Sequence, residues 1–76
     1  MIEIELRLFA TLAEYIPAAP EQFKIAHGTR AEELLLILGI PKEKAKLIFI
    51  NGKKQDYDHE LQNGDRVGIF PPVGGG

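Results

Sequence analysis

The sequence contains no cysteine and no serine. Without cysteine the chain can form neither a disulfide nor a thiolate site for a metal, and the absence of both residues removes two common catalytic nucleophiles. Histidine is scarce, and neither His27 nor His59 has a second histidine nearby to complete a pair of metal ligands. We therefore expect no bound metal and no self-contained active site.

The sequence also lacks an excess of positive charge and a long apolar run. Its formal net charge is −2 and its lysines do not cluster into a stripe, so binding to nucleic acid through phosphate neutralisation is not expected. The longest apolar run, residues 34–38, is far shorter than the roughly 20 residues that cross a bilayer. Glu3 and Glu5 stand where a secretory signal would carry positive charge. These features predict a cytoplasmic protein that binds neither membranes nor nucleic acid.

Length and composition indicate one small domain. A chain of 76 residues leaves no room for a second domain, and its 45% apolar and 26% charged residues are ordinary for a globular protein. A domain of this size buries only about 60% of the surface that its unfolded chain exposes, so its core is small. We expect a folded domain over residues 1–70 and a flexible tail over residues 71–76.

Hydrophobic periodicity predicts two strands and then a helix in the first half of the chain. Residues 2–8 alternate between apolar and charged side chains, which is typical of a half-buried strand, and residues 22–26 form a short second strand. Thr29 and Glu32 fit a capping box at the start of the helix, and Gly39 predicts a Schellman motif at its end. The predicted buried stripe of this helix consists of Ala31, Leu34, Leu35 and Leu38.

Three further strands are predicted in the second half. Residues 47–50 form a largely buried apolar strand, Asn51-Gly52 supplies a tight turn, and residues 53–54 begin a short return strand. After an irregular connection and a turn at Asn63-Gly64-Asp65, residues 66–70 form the last strand.

The resulting order of elements, β-β-α-β-β-β, is typical of an α+β fold of the β-grasp (ubiquitin-like) class. We expect a mixed sheet of four or five strands with one main helix packed on one face, and with the first and last strands parallel at its centre. The other face should stay open to solvent. Because Val67 and Ile69 occupy the helix side, Phe70 should point to the open face, close to Phe9 and Arg7 of the first strand.

The segment Phe70-Pro71-Pro72-Val73-Gly74-Gly75-Gly76 closes the sequence. Proline restricts φ and disfavours helix for the residue before it, so residues 70–73 should leave the body in an extended conformation. The glycines can bury no side chain and lose much entropy on ordering, so they contribute nothing to a fold. Composition alone leaves two interpretations open: a frayed end, or a thin strand that threads a channel where a Cβ would clash.

Three motifs resemble those of the MoaD/ThiS family of ubiquitin-like sulfur carriers. Leu6-Arg7-Leu8-Phe9-Ala10 resembles the family's first strand, which typically ends in Phe-Ala. Leu61-Gln62-Asn63-Gly64-Asp65-Arg66-Val67 resembles its Leu-x-x-Gly-Asp-x-Val turn into the last strand. Residues 70–76 match the Phe-Pro-Pro-Val-x-Gly-Gly ending of the molybdopterin synthase small subunits. The resemblance covers the full length of the sequence.

The resemblance implies that Gly76 is the reactive residue of a sulfur carrier. An E1-like adenylating enzyme would convert its carboxylate to an acyl-adenylate with ATP, so this chain itself would bind no cofactor. A sulfur donor of the cysteine desulfurase or rhodanese type would then leave a thiocarboxylate. The segment expected to thread the partner's active site consists of Gly74, Gly75 and Gly76. The residues expected to dock against the partner are Phe70, Pro71, Pro72, Val73, Phe9 and Arg7.

The resemblance leaves the pathway open. Thr11-Leu12-Ala13-Glu14 stands where the molybdopterin synthase subunits commonly have an Arg-Glu pair, and Gly39-Ile40-Pro41 and Ile50-Asn51-Gly52-Lys53 resemble the shorter thiazole-pathway carriers. Those carriers usually lack the double proline. The acceptor would be the molybdopterin synthase large subunit or thiazole synthase, and the molybdenum or tungsten pterin pathway is the preferred hypothesis. Ubiquitin-like conjugation of Gly76 to lysines, and an interaction module with an inert tail, are the other hypotheses.

Overall fold

The computed structural model describes residues 1–72 of the chain. Strand β1 spans Ile2–Leu8, because alternating apolar residues give it one face to bury and one to leave in water. The remaining main elements are strand β2 (Phe23–Ile25), helix α1 (Ala31–Leu38), and strands β3 (Leu47–Ile50), β4 (Lys53–Gln55) and β5 (Arg66–Phe70). Short 3-10 helices cover Ala10–Tyr15, Pro20–Gln22 and Lys42–Lys44.

The strands form one mixed sheet in the order β2-β1-β5-β3-β4. Strands β1 and β5 are parallel at its centre, with Leu6 opposite Val67 and Leu8 opposite Ile69, and the other pairs are antiparallel. Strands β2 and β3 flank this pair and run parallel to each other, so a tight hairpin cannot join them, and α1 lies in the crossover between them. The predicted mixed sheet and its central parallel pair are confirmed.

Helix α1 covers one face of the sheet, which we call the closed face. This face consists of the buried aliphatic side chains Ile2, Ile4, Leu6, Ile25, Ile48, Ile50, Val67 and Ile69. They form one cluster with Ala31, Leu34 and Leu35 of α1, which is the predicted helix stripe except that Leu38 is only partly buried. Burying such a side chain fully contributes about 1.5–3 kcal/mol, so this layer is the main source of stability.

The start of α1 differs from the sequence prediction. Its N-cap is Arg30, whose backbone N–H donates to Oε1 of Glu33 at 2.8 Å, so the predicted pairing of Thr29 with Glu32 is wrong. The Thr29 hydroxyl donates instead to the carbonyl of Ala26 at 2.6 Å, in the turn before the helix. The reason is tertiary. The free N–H groups of the first helical turn donate to the carbonyls of His59 and Tyr57, which sets where the helix begins.

The end of α1 confirms the Schellman prediction. Gly39 adopts a left-handed conformation with φ of 79°, and its N–H donates to the carbonyl of Leu36 at 3.2 Å. The N–H of Ile40 donates to the carbonyl of Leu35 at 2.9 Å, which completes the motif.

Within residues 1–72, no helix has the length and apolar character needed to cross a membrane.

Candidate functional site

The face of the sheet opposite α1, which we call the open face, carries a cluster of aromatic rings. The rings of Phe9 and Phe70 stack with their centroids 4.2 Å apart and an interplanar angle of 4°, and Phe49 meets Phe70 edge-on at 5.5 Å. Phe9 follows β1 directly, and its N–H donates to the carbonyl of Ile69 at 3.1 Å, so the pairing with β5 continues and holds the ring over its neighbour. The predicted proximity of Phe9 and Phe70 is confirmed.

Phe49 was not among the predicted site residues. In β3, the side chains of Ile48 and Ile50 are buried, and the alternation of a strand therefore places Phe49 on the open face. Its strand neighbours β5, where Phe49 lies opposite Gly68. The sequence did not reveal that Phe49 faces away from α1, because every residue of β3 is apolar. Without alternating polar residues, periodicity does not distinguish a strand buried on both faces from one buried on a single face.

The aromatic rings surround a hollow above Gly68, which we call the Gly68 hollow. It has a volume of about 260 Å³ and is lined by Arg7, Phe9, Phe49, Gly52, Arg66, Gly68 and Phe70. A Cβ added at Gly68 would lie 3.4 Å from Cε2 of Phe9 and 3.8 Å from Cε1 of Phe70. A side chain at Gly68 would therefore extend into the hollow beside the rings of Phe9 and Phe70.

Two arginines line the Gly68 hollow in different electrostatic settings. Nε of Arg7 lies 2.9 Å from Oε2 of Glu5, so a carboxylate on the same strand largely offsets its charge. Arg66 lies opposite Glu5 in the register of β1 and β5 but makes no ion pair within residues 1–72. The predicted placement of Arg7 beside the aromatic pair is confirmed, whereas Arg66 was not predicted as a site residue. The docking role of this face stays a prediction.

A hydrogen-bonded turn before β5 gives the Gly64-Asp65 motif its structural role. The buried carboxylate of Asp65 accepts from the side-chain amide of Asn51 at 2.9 Å and from the backbone N–H of Gln62 at 2.8 Å. Oδ1 of Asn51 accepts in turn from the backbone N–H of Arg66 at 2.9 Å. Gly64 takes the positive φ of 87° that the turn requires. These bonds connect the β3–β4 turn to the start of β5.

The chain leaves β5 through two prolines at the edge of the site. Pro71 is half-buried and Pro72 is exposed, and both line a hollow of about 390 Å³ beside the 3-10 helix Ala10–Tyr15. Pro72 also borders a hollow of about 500 Å³ on the side of Tyr57 and Lys42. The ammonium group of Lys42 lies 4.5 Å from the centroid of the Tyr57 ring. The remaining predicted site residues, Val73, Gly74, Gly75 and Gly76, lie outside the described residues.

The described part of the chain contains no group of three acidic or histidine side chains arranged to hold a metal ion. Each hollow is open, and the aromatic one lies below the range of about 300–1,000 Å³ that is typical of small-molecule sites.

Comparison with known proteins agrees with this geometry. The model of the ThiS family matches residues 6–76. A putative molybdopterin converting factor, subunit 1, from Pyrococcus furiosus has a TM-score of 0.71 and 23% sequence identity, covering 96% of this chain and 100% of its own. SAMP1 from Haloferax volcanii has a TM-score of 0.68 and 21% identity, covering 97% of this chain and 99% of its own. No curated protein sequence matches the chain. The two structures confirm the predicted β-grasp, ubiquitin-like fold.

Proposed function

The chain belongs to the ThiS family of ubiquitin-like sulfur carriers, and from this premise we propose that Gly76 carries sulfur as a thiocarboxylate for molybdopterin biosynthesis. The observation that carries the proposal is the extent of the family match, which runs through the final glycines to residue 76. The Phe-Pro-Pro-Val segment that precedes them, and the similarity to a putative molybdopterin converting factor, support the pterin pathway.

The chemistry assigns activation to a partner enzyme. A carboxylate is a poor electrophile, so an adenylating enzyme first joins the Gly76 carboxylate to the α-phosphate of ATP and releases pyrophosphate. The terminal sulfur of a persulfide on a donor of the cysteine desulfurase or rhodanese type then attacks the carbonyl carbon and displaces AMP, which leaves an acyl disulfide. A thiol of a partner protein, since this chain has no cysteine, attacks the donor's sulfur in that S–S bond and releases the thiocarboxylate, and the thiol and the donor are left joined by a disulfide. The partner must reach this carbon from several sides, and glycine permits close approach because it has no Cβ. The thiocarboxylate then delivers its sulfur in the large subunit of a molybdopterin synthase.

The folded body supplies orientation for this reaction. Pro71 and Pro72 restrict the backbone where it leaves β5. The stacked rings of Phe9 and Phe70 lie at the root of the same tail, with Arg7 beside them. An exposed aromatic cluster is suited to a protein interface, because aromatic side chains and arginine are enriched in interface centres. In this proposal the open face docks on the partner while residues 73–76 enter its active site.

The test is the intact mass of the chain after incubation with the adenylating enzyme of the same genome, ATP and a sulfur donor. We expect the intact mass to rise by about 16 Da, from exchange of one oxygen for sulfur, and digestion should locate the gain on the peptide that contains Gly76. The matched control lacks Gly75 and Gly76 and should gain no mass, while its melting temperature stays within about 1 °C because the deletion removes no buried side chain. An unchanged mass of the full chain would contradict the proposal.

The thiamin pathway is the second candidate. The segments around Gly39-Ile40-Pro41 and Asn51-Gly52 resemble the shorter thiazole-pathway carriers, and both form tight turns in the structure. The two pathways are separated by supplying the thiocarboxylate form to a molybdopterin synthase large subunit or to a thiazole synthase. Loss of sulfur to only one of them assigns the pathway. Covalent adducts of higher mass with lysine-containing proteins would instead indicate conjugation of the ubiquitin type.

A further inference from the structure

The centre of the open face is a row of four cross-strand neighbours. They are Lys54 of β4, Phe49 of β3, Gly68 of β5 and Arg7 of β1. Only Gly68 lacks a side chain in this row, so the sheet has a gap where the neighbouring strands project long side chains. Phe9 and Phe70 close the gap along the strand direction, since a Cβ at Gly68 would contact both rings. This space is the Gly68 hollow, with aromatic side chains at its sides and the backbone of β5 at its base.

The size of the Gly68 hollow identifies the kind of group that fits it. Its volume of about 260 Å³ is smaller than the sites of about 300–1,000 Å³ that enclose drug-sized ligands. The rings of Phe9, Phe49 and Phe70 make the lining mainly apolar, with Arg7 and Arg66 among the remaining lining residues. A single aliphatic or aromatic side chain projecting from a protein surface matches this space.

The charge around the hollow specifies a second feature of the occupant. Arg66 lines the hollow and makes no ion pair within residues 1–72, and Lys54 adds a further cation beside Phe49. Glu5 is the acidic side chain closest in register, and it is bonded to Arg7. The rim is therefore net positive although the whole chain has a formal charge of −2. A carboxylate on the incoming surface would pair with Arg66, whereas a second copy docked through its own open face would bring one net positive rim against another and is a poor complement.

We propose that the Gly68 hollow binds one apolar side chain of a partner protein, next to an acidic side chain of that partner which pairs with Arg66. Gly68 thereby determines specificity, since the absence of its side chain creates the space. This inference deepens the proposed function, because it rests on the open face as the docking surface of a carrier and states the chemistry that the partner must present.

The test selects peptides from a random displayed library on the full chain. The chain is immobilised through its N-terminus, because Met1 lies at the opposite end of β1 from Phe9 and is 85% exposed. We expect the selected peptides to share an apolar residue flanked by aspartate or glutamate. Their affinity is then measured by titration against Gly68→Ala, Gly68→Leu and Arg66→Glu. Matched controls are Ala18→Leu and Lys24→Glu, which place a similar added bulk or the same charge reversal on exposed residues outside the hollow.

The Gly68→Ala variant separates binding from folding. Its Cβ would sit at 3.4 Å from Phe9, close to ordinary contact, and Gly68 does not have the positive φ that excludes other residues. Since glycine weakens a strand interior, we expect a melting temperature equal to wild type or higher by ~2–8 °C. Peptide affinity should nevertheless fall by about fivefold, as expected when one buried methylene-sized space is lost. Gly68→Leu and Arg66→Glu should each reduce affinity by about tenfold or more.

The outcomes distinguish this inference from the proposed function. Selected peptides without acidic residues would overturn the inference, as would binding that survives Gly68→Leu or that falls equally in the two controls. Self-association through the open face, detected by sedimentation and abolished by Gly68→Leu, would also overturn it. If acidic apolar peptides bind the hollow but wild type gains no mass with the adenylating enzyme, the proposed function fails and the inference stands.

Discussion

The two faces of the sheet are built by the same strands and carry different chemistry. On the closed face, β5 contributes Val67 and Ile69, each 1% exposed under α1. On the open face, the same strand contributes Arg66, Gly68 and Phe70. Because successive side chains of a strand point to opposite faces, one strand can serve stability and recognition without conflict. In this small domain, the aliphatic layer holds the fold and the aromatic layer stays partly exposed.

The difference between the faces is also one of packing. The closed face is covered by Leu34 and Leu35 of α1, which are 0% and 2% exposed. On the open face, Phe9 is 37% exposed and no element of residues 1–72 covers its stack with Phe70. Stacked aromatic rings that are partly exposed beside a net positive rim form a surface suited to binding. Mutations on the two faces should therefore separate loss of folding from loss of binding.

The largest expected effect on stability comes from Ile69→Ala on the closed face. Removing a fully buried isoleucine leaves a cavity at the centre of the sheet, and such changes cost about 2–5 kcal/mol in the free energy of unfolding. Urea unfolding followed by circular dichroism measures this loss. The matched control is Phe70→Ala, the next residue on the opposite face, whose cost should stay near 1–2 kcal/mol because the ring is only half-buried. Equal losses in both variants would remove the distinction between the faces.

The next effect is on binding. Phe70→Glu places a charge in the aromatic stack at the root of the tail, and affinity for the adenylating enzyme should fall by about 30-fold, which corresponds to about 2 kcal/mol. Calorimetric titration measures the affinity, and the circular dichroism spectrum should remain that of the folded chain. Ile37→Glu on the exposed side of α1 is the matched control, because Ile37 is 55% exposed on the other side of the sheet. Unchanged affinity of Phe70→Glu would contradict docking through the open face.

The smallest effect is expected from Glu5→Gln, which removes the carboxylate beside Arg7. An exposed ion pair contributes little, so the free energy of unfolding should change by less than about 0.5 kcal/mol. Freeing Arg7 makes the rim of the Gly68 hollow more positive, and affinity for an acidic partner should rise by about two- to fivefold at low salt. The gain should shrink at high salt through screening. A gain that is independent of salt would mean that Glu5 acts through packing and not through charge.

Local patterns predicted the elements that depend on neighbouring residues. The bounds of β5 and the Schellman end at Gly39 agree with the prediction, and Asn51 and Gly52 have the positive φ values of a tight turn. Each rests on strand alternation, proline placement or the conformational freedom of glycine, which are properties of a few consecutive residues. The proximity of Phe9 to Phe70 was predicted as well, once β1 and β5 were taken to be parallel neighbours, whereas the stacked geometry was not.

Other features depend on contacts between distant segments. Residues 57–61 were predicted only as an irregular connection, yet their carbonyls receive the first N–H groups of α1, and Leu61 is buried in the core at 1% exposure. This docking places the helix N-cap at Arg30 rather than Thr29. No local motif could indicate it, because the acceptors lie far along the chain from the helix that they cap.

The sequence by itself determined the order of helix and strands along the chain and the end of α1 at Gly39. It also excluded cysteine and serine as nucleophiles and showed the proline-glycine ending that resembles a carrier tail. These are local properties of backbone preference and composition. Only the tertiary structure decided that Phe49, Gly68 and Arg66 join Phe9 and Phe70 around one hollow. The physical reason is register: which side chains meet across a sheet is set by the pairing of β1, β5 and β3, and that pairing is a property of the whole fold.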